Sequence, residues 1–150
     1  MTDKIYVIGH KSPDTDSVTS AITYANLKNA LGMKEAVPAA AGDINAETKF
    51  LLDHFKVPYP EKLTDATDKK VILVDHNEMA QAVDNLNMEN IVEIVDHHKI
   101  GGLATGKPIF FLNEPVGATG GIIANLYEMN NVPISKEMAG LMMSAILSDT

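Results

Sequence analysis

Short and almost wholly apolar runs alternate with amphipathic segments along this chain. Each run has the length of a buried strand, and strands that are apolar on both faces are typical of parallel sheets covered on both sides. The last run contains a proline, which favours an edge position because proline cannot donate a hydrogen bond to a neighbouring strand. The predicted strands span residues 5–8, 37–41, 71–74, 91–95 and 108–112.

The segments between these runs carry apolar residues at helical spacing. The clearest case follows the first strand, where Val18, Ala21 and Ile22 recur on one helical face. An alternation of strands and helices predicts a doubly wound α/β fold, with a mostly parallel five-stranded sheet and helices on both faces. The predicted helices span residues 16–31, 79–86, 117–129 and 135–148, with a further helix starting at Asn45.

Composition limits the classes of function that the chain can have. Its 150 residues make about one domain and include no cysteine, which excludes disulfides and thiolate zinc sites. The net charge of −8 argues against a broad nucleic-acid-binding face, since such a face needs clustered basic residues. No apolar stretch is long enough to span a membrane, so we expect a cytoplasmic protein without nucleic-acid or membrane partners.

Residues that can bind metals cluster where three of the predicted strands end. Ligands of parallel α/β sheets bind beyond the carboxyl ends of the strands, so clusters that are remote in sequence are expected to meet in one crevice. Four of the five histidines belong to these clusters. The clusters are His10 with Asp14 and Asp16, Asp75 with His76 and Asn77, and Asp96 with His97 and His98.

Six residues are the expected metal ligands, and their number indicates two metals. Four carboxylates and two imidazoles are too many for one site with an open position, and four negative charges balance two divalent cations. Two metals would convert a bridging water into a hydroxide that attacks phosphorus. Asp75, on a central strand, is the expected bridging carboxylate. The six ligands are His10, Asp14, Asp16, Asp75, His97 and Asp149.

The other polar residues at these strand ends have different expected roles. Adjacent side chains at a strand end should diverge, so His98 is not expected to share a metal with His97 and would touch the substrate or protonate the leaving oxygen. His76 is expected to support the ligands, and His54 to lie on the surface. The glycine-rich stretch around Thr119 either binds an anion through backbone N–H groups or allows a close approach between a helix and the sheet.

Together these motifs resemble the DHH phosphoesterase superfamily. Within it, the chain is most similar to family II, the manganese-dependent inorganic pyrophosphatases, and the motifs follow the family order over the whole chain. The Asp75-His76-Asn77 form favours a pyrophosphatase over the nuclease branches of the superfamily. The motifs are the eight residues from His10 to Ser17, Asp75-His76-Asn77-Glu78, Asp96-His97-His98 and Ser148-Asp149.

The resemblance implies an activity and its cofactors. Members hydrolyse pyrophosphate to two phosphates with two Mn²⁺ or Co²⁺ ions per chain, and we expect additional Mg²⁺ to accompany the substrate. His98 and Asp75 would be catalytic, with His98 contacting the pyrophosphate, and the protein would form a homodimer through this domain. One metal would be held by His10, Asp14 and Asp75, and the other by Asp16, Asp75, His97 and Asp149.

The family pattern is incomplete in this chain. Ser12 stands where asparagine is common, a difference that removes no ligand. We expect residues 1–150 to be the N-terminal metal-binding domain of a longer protein, because the family's C-terminal substrate-binding domain is absent. Only Lys11 and Lys99 lie near the motifs to balance the charge of pyrophosphate, so the segment alone should be weakly active.

Two other hypotheses remain open on the sequence. In the first, the chain belongs to another DHH phosphoesterase that acts on short polyphosphate or oligonucleotides. In the second, it is an inactive domain that binds metal and dimerises. The missing second domain would determine the substrate in the first hypothesis. The number of metal ions bound per chain tests the second.

Overall fold

One parallel sheet organises the chain, of which the computed structural model describes residues 3–149. In chain order its strands are β1 Ile5–Ile8, β2 Ala36–Ala40, β3 Glu61–Lys62, β4 Lys70–Val74, β5 Ile91–Asp96 and β6 Phe110–Asn113. They lie side by side in the order β3-β2-β1-β4-β5-β6, and every neighbouring pair is parallel. The predicted parallel α/β sheet is confirmed, and β6 lies at an edge as its proline-containing run predicts.

The sheet has six strands, one more than predicted. The additional strand is β3, which was not predicted because it carries no apolar pattern. Its two residues, Glu61 and Lys62, are both exposed. They are aligned beside Ala39 and Ala40 of β2 at the other edge of the sheet. A two-residue polar strand is defined by its backbone pairing, and hydrophobic periodicity cannot detect it.

Four α-helices pack with the sheet. The predicted N-cap Asn45 is confirmed, since its side chain accepts a hydrogen bond from the Thr48 N–H at 2.8 Å. Among residues 3–149, no helix is long and apolar enough to cross a membrane. The helices are α1 Thr15–Ala30, α2 Ala46–His54, α3 Thr119–Met129 and α4 Lys136–Asp149.

The strand order reverses between β1 and β4. From β1 the chain moves outward to β2 and β3, and then it returns to β4 on the other side of β1 and continues to β6. Because crossovers between parallel strands are right-handed, the connections on the two sides of this point cover opposite faces. The carboxyl ends of β1 and β4 therefore flank the topological switch point, where ligands of such sheets bind.

The α-helices cover one face of the sheet, with α1 at the centre. Val7 and Ile72 of the sheet share a core cluster with side chains of all four helices. Helix α1 contacts the sheet as well as α3 and α4, so even its polar residues between Thr15 and Thr23 are buried. Their hydroxyls bond within the helix, from Thr19 to the carbonyl of Thr15 at 2.7 Å and from Thr23 to the carbonyl of Thr19 at 2.9 Å. These bonds satisfy the hydroxyl groups that burial would otherwise leave without partners.

Loops and two short 3₁₀ helices, Met79–Gln81 and Met88–Asn90, cover the other face. The predicted α-helix over residues 79–86 is wrong. Within that segment only one 3₁₀ turn bonds locally, and the carbonyl of Asp84 accepts the N–H of Ala66 from a neighbouring loop at 2.9 Å. Coverage of both faces holds, but on this side it comes from 3₁₀ turns and loops.

Candidate metal centre

Three strand ends bring the predicted ligands together at the switch point. His10 follows β1, Asp75 follows β4 and His97 follows β5. His10 Nε2 lies 3.3 Å from Asp75 Oδ2, and His97 Nε2 lies 3.0 Å from Asp75 Oδ1. Asp75 therefore stands between the two imidazoles and faces one with each carboxylate oxygen.

The backbone of Asp75 adopts a conformation that aims its side chain into the crevice. Its φ of 64° lies in the left-handed region, which aspartate enters more readily than most residues. Its N–H donates to the carbonyl of Val95 at 3.0 Å, and its buried Oδ1 also accepts from the Thr119 hydroxyl at 3.2 Å. The carboxylate is thus fixed from the backbone side and from α3.

A close packing contact fixes the loop that carries His10. The His10 N–H donates to Ser17 Oγ at 3.0 Å, and a Cβ on Gly9 would fall 1.7 Å from that oxygen. Only glycine fits at this position. Asp14 caps α1 by accepting the Ser17 N–H at 2.8 Å, which holds its carboxylate at the entrance of the crevice.

Asp16 is fully buried and is bonded by the start of α3. Its Oδ2 accepts the Thr119 N–H at 2.9 Å, and its Oδ1 accepts the Gly120 N–H at 3.0 Å and the Ser20 hydroxyl at 3.1 Å. A helix N-terminus favours such an anion, because its first N–H groups lack partners inside the helix. Of the two sequence alternatives for this stretch, the first holds in part, since its N–H groups bind a carboxyl group of the chain itself; the close approach of the second is to another helix and not to the sheet. The close approach is to α4, where Ala145 Cβ would lie 3.0 Å from a Cβ on Gly120.

Backbone carbonyls orient both candidate histidine ligands. His97 Nδ1 lies 2.8 Å from the carbonyl of Val116, and His10 Nδ1 lies 2.7 Å from the carbonyl of Lys11. Each Nδ1 is therefore the donor, and each Nε2 faces the carboxylates. Metal-binding histidines are commonly held in this way, so the donor set fits a divalent metal.

The six predicted ligands fall into two overlapping groups of ligand atoms, and Asp75 belongs to both. His97 Nε2 lies 3.6 Å from Asp16 Oδ2 and 4.0 Å from Asp149 Oδ2, at the end of α4. In each group one ligand atom per residue lies within 4.8 Å of all the others. Imidazole and carboxylate ligands suit manganese and its neighbours in the first transition row. The groups are His10 with Asp14 and Asp75, and Asp16 with Asp75, His97 and Asp149.

The carboxylates make both imidazoles strongly basic in the metal-free chain. Hydrogen bonds to Asp14 and Asp75 raise the pKa of His10 to about 10. The hydrogen bond to Asp75 raises the pKa of His97 to about 9. Protons thus occupy, at neutral pH, the Nε2 atoms that would bind metal.

The acids at the centre divide between protonated and ionised forms. Burial and the charge of Asp75 raise the pKa of Asp16 to about 8, and burial with the charges of Asp14 and Asp75 also raises the pKa of Asp149. Burial opposes ionisation of Asp75 too, but hydrogen bonds from His10, His97 and Asp16 outweigh it and lower the pKa of Asp75. The metal-free centre therefore holds protons on His10, His97 and Asp16 around the ionised carboxylate of Asp75.

His98 lies at the edge of the centre, beside His97. Their ring centroids are 4.2 Å apart, so the expectation that adjacent side chains diverge is wrong. His98 Nδ1 lies 2.7 Å from Asp96 Oδ1 and 3.9 Å from Asp75 Oδ1, and Asp75, His97 and His98 form a third group with metal-ligand spacing. The Asp96 hydrogen bond occupies Nδ1 and leaves Nε2 free on a half-exposed ring.

The two remaining histidines lie outside the ligand groups. His76 is fully buried, with Nδ1 2.8 Å from the carbonyl of Val74 and with Nε2 lacking a hydrogen-bond partner. Burial lowers the pKa of His76 to about 4, so the ring is neutral, and it packs edge-on against His10. His54 is exposed on α2, as predicted.

Two residues near the centre have supporting contacts that were not predicted from the sequence. Asn77 donates to Asp96 Oδ2 at 2.7 Å and to the Lys99 carbonyl at 2.9 Å, and it accepts the Gly101 N–H at 2.9 Å. It therefore joins the strand ends after β4 and β5. Thr119 is the second such residue, because it bonds both Asp16 and Asp75. Membership in a predicted cluster was the available signal for Asn77, but its partners could not be inferred from the sequence.

Comparisons with known proteins find relatives that match the whole of this chain. A manganese-dependent inorganic pyrophosphatase from Methanothrix thermoacetophila is 75% identical over 150 residues, covering 100% of this chain and 48% of the relative. Another from Bacillus subtilis is 45% identical over 99% of this chain and 48% of its own length. The chain thus spans about half the length of the curated relatives it matches.

Solved structures extend the comparison to the fold. A Methanococcus jannaschii protein assigned to family II of the inorganic pyrophosphatases has a TM-score of 0.87 and 43% identity, over 97% of this chain and 48% of that one. An exopolyphosphatase-related protein from Bacteroides fragilis shares the fold, with a TM-score of 0.71 and 17% identity over 99% of this chain.

A family model for the DHH family, N-terminal domain, matches residues 4–146. The match includes every predicted ligand except Asp149, and it spans all six strands of the sheet. The predicted resemblance is confirmed. The chain is similar to the manganese-dependent inorganic pyrophosphatases, and it belongs to the DHH family, whose N-terminal domain it matches.

Proposed function

We propose that this chain is the metal-binding half of a manganese-dependent inorganic pyrophosphatase, which hydrolyses pyrophosphate to two phosphates. The observation that carries the proposal is the pair of ligand groups that share Asp75. Together they supply four carboxylates and two imidazoles, a set whose charge balances two divalent cations. The names of the similar proteins supply the metal and the substrate.

The two groups would hold one ion each, with Asp75 bridging them. His10, Asp14 and Asp75 would hold the first, and Asp16, Asp75, His97 and Asp149 the second. Two bound Mn²⁺ or Co²⁺ ions would supply the Lewis acidity that activates a water and balances the negative charge of the substrate. A further Mg²⁺ would arrive with the pyrophosphate.

The chain's own residues would position these ligands and move a proton. The carbonyls of Lys11 and Val116 hold the His10 and His97 rings so that each Nε2 faces the centre. His98, held through Nδ1 by Asp96, presents Nε2 on the open side, where it would donate a proton to the leaving phosphate oxygen. In this scheme Asp75 and His98 are the catalytic residues.

Charge indicates that the groups that hold the substrate lie outside these residues. Lys11 pairs with Asp84 at 2.6 Å, and Lys99 lies 3.6 Å from Glu78, so both lysines near the motifs already have acidic partners. Two divalent ions balance the ligand carboxylates and leave the charge of pyrophosphate uncompensated. We therefore propose that residues 1–150 form an N-terminal domain, that a C-terminal domain supplies basic side chains, and that the segment alone is weakly active.

Two measurements test this function. Metal analysis after purification with Mn²⁺ should give about two ions per chain, the number that two ligand groups require. Phosphate release in Mn²⁺ should be faster from pyrophosphate than from tripolyphosphate, and a short oligonucleotide should not be cleaved. Preference for tripolyphosphate or the oligonucleotide would assign the chain to another DHH phosphoesterase. Two bound metals without any turnover, in the full-length protein, would indicate a metal-binding domain only.

The partner surface proposed for a homodimer is the edge strand β6. Its outer side has no neighbouring strand in the described chain, and Phe110 and Phe111 are 48% and 36% exposed. An open edge with aromatic side chains is a surface that a second copy can cover. Light scattering should give the mass of a dimer, and the double variant Phe110→Lys with Phe111→Lys should give that of a monomer. The location in the cytoplasm stays a prediction.

A further inference from the structure

A carboxylate outside the ligand groups joins two of the helices that carry candidate ligands, α1 and α4. Glu47 lies in the first turn of α2, and one of its oxygens, Oε1, accepts hydrogen bonds from two hydroxyls. One is Thr15 Oγ1 at the start of α1, and the other is Ser148 Oγ in the last turn of α4, at 3.0 Å. Thr15 Oγ1 also lies 3.0 Å from the Thr48 hydroxyl, which fixes its orientation.

The two hydroxyl partners are sequence neighbours of candidate ligands. Thr15 lies between Asp14 and Asp16, and Ser148 directly precedes Asp149. Asp14 and Asp16 have anchors of their own, the N–H groups at the starts of α1 and α3. Asp149 lies in the last turn of a helix, a position where helices fray. The bond from Glu47 ties that turn to α1.

We propose that Glu47 is a positioning residue that keeps Asp149 beside Asp16 and His97. This inference rests on the proposed function, in which these residues hold the second metal. Asp149 Oδ2 is only 4.0 Å from His97 Nε2, so a small shift of the last turn would separate it from that group. The first group does not contain Asp149 and should be little affected.

Two substitutions distinguish the hydrogen bonds of Glu47 from its negative charge. Glutamine keeps an oxygen that accepts both hydroxyls but removes the negative charge, whereas alanine removes both properties. If Glu47 acts by position, Glu47→Gln should bind metal almost as the original protein does, and Glu47→Ala should not. Ser148→Ala tests the same bond from the other end without changing any charge.

The experiment is a titration of Mn²⁺ into metal-free protein, in which calorimetry measures the affinity of each site. Glu47→Ala and Ser148→Ala should lower the affinity of one of the two sites by about ten- to a hundredfold, the range typical of supporting residues around metals. The other site should keep its affinity. Asp53→Ala is the matched control on the same helix, because its carboxylate bonds to Tyr59 at 2.9 Å and to no ligand-bearing segment that the structure describes. It should bind both ions normally.

Two results would overturn the positioning role. One is normal affinity at both sites in Glu47→Ala and Ser148→Ala. The other is an equal loss in Glu47→Gln and Glu47→Ala, which would assign the effect to charge. If circular dichroism shows that Glu47→Ala is unfolded, Ser148→Ala and Glu47→Gln decide the question. Failure of the unmodified protein to bind two ions would instead refute the proposed function.

Discussion

Asp16 Oδ2 accepts the backbone N–H of Thr119 at 2.9 Å, although 103 residues separate the two positions. A candidate metal ligand thereby also supplies the N-terminal hydrogen-bond partner of α3. Its other oxygen accepts the next N–H, from Gly120. The orientation of this carboxylate thus depends on the packing of α3 against α1 and α4. Substitutions that change that packing should therefore move the Asp16 side chain in the candidate metal centre.

Two adjacent glycines of α3 should respond oppositely to substitution. A Cβ on Gly120 would lie 3.0 Å from Ala145 Cβ and 3.2 Å from the Met142 carbonyl, whereas one on Gly121 would have no neighbour within 4 Å. Gly120→Ala should destabilise the fold by about 1–3 kcal/mol through overpacking. Gly121→Ala should be neutral or stabilising, because alanine favours helix. Urea denaturation measures both changes, and equal stabilities would contradict the packing argument.

The positions of the candidate ligands could be predicted from the sequence because the fold class determines where strand ends meet. His10, Asp75 and His97 each follow an apolar run, and parallel pairing brings such ends to one edge. Their supports could not be predicted in this way. The sequence shows that Thr119 begins a helix, but it does not show that the carboxylate at that helix end comes from Asp16.

Two further differences between the predicted and the observed secondary structure come from backbone hydrogen bonds. The segment 79–86 has an apolar pattern that favours a helix, but the hydrogen bond between Ala66 and Asp84 uses its backbone elsewhere. The short strand β3 has no apolar residue, so no periodicity could reveal it. In both segments the backbone pairs with residues that are distant in the sequence, and the apolar pattern of a single sequence does not show such pairing.

Asp75→Asn should weaken both metal sites together. Asparagine tolerates the left-handed φ of 64° as aspartate does, so the variant should fold. It removes the charge that lies between His10 and His97 and leaves one fewer carboxylate oxygen for two ions. Elemental analysis after dialysis in Mn²⁺ should show loss of both ions. Two tightly bound ions in this variant would refute the bridging role.

His98→Gln should lower turnover while leaving the metal content nearly unchanged. The ring is half-exposed and bonded to Asp96, and the two proposed ligand groups do not include it. Loss of a general acid typically costs about 10²–10⁴ in rate. Pyrophosphate hydrolysis by the full-length protein measures the rate, and elemental analysis measures the ions. Loss of an ion along with activity would instead make His98 a ligand, as the group with Asp75 and His97 allows.

The affinity for Mn²⁺ should rise with pH, because protons compete for the same atoms. In the metal-free chain the pKa is about 10 for His10, about 9 for His97 and about 8 for Asp16, so all three are protonated at neutral pH. Metal binding requires neutral imidazoles and an ionised carboxylate, and it should therefore release protons. Calorimetry in buffers of different ionisation enthalpy counts them, and affinity that is constant from about pH 6 to pH 8 would contradict this competition.

The stability of the metal-free protein should fall as the pH rises through the same range. These three groups have pKa values above those of the unfolded chain, so they stabilise the fold fully below the unfolded values of 6.5 for histidine and 3.8 for aspartate. Their contribution is lost as the pH passes about 8 for Asp16, about 9 for His97 and about 10 for His10. Asp75, whose pKa is lowered, has the opposite effect, and its contribution is lost only in acid. Thermal denaturation in EDTA should therefore give a lower Tm near pH 9 than near pH 7, and Mn²⁺ should remove most of that difference by replacing the protons. A metal-free Tm that increases over this interval would show that the imidazoles are not held protonated by the carboxylates around Asp75.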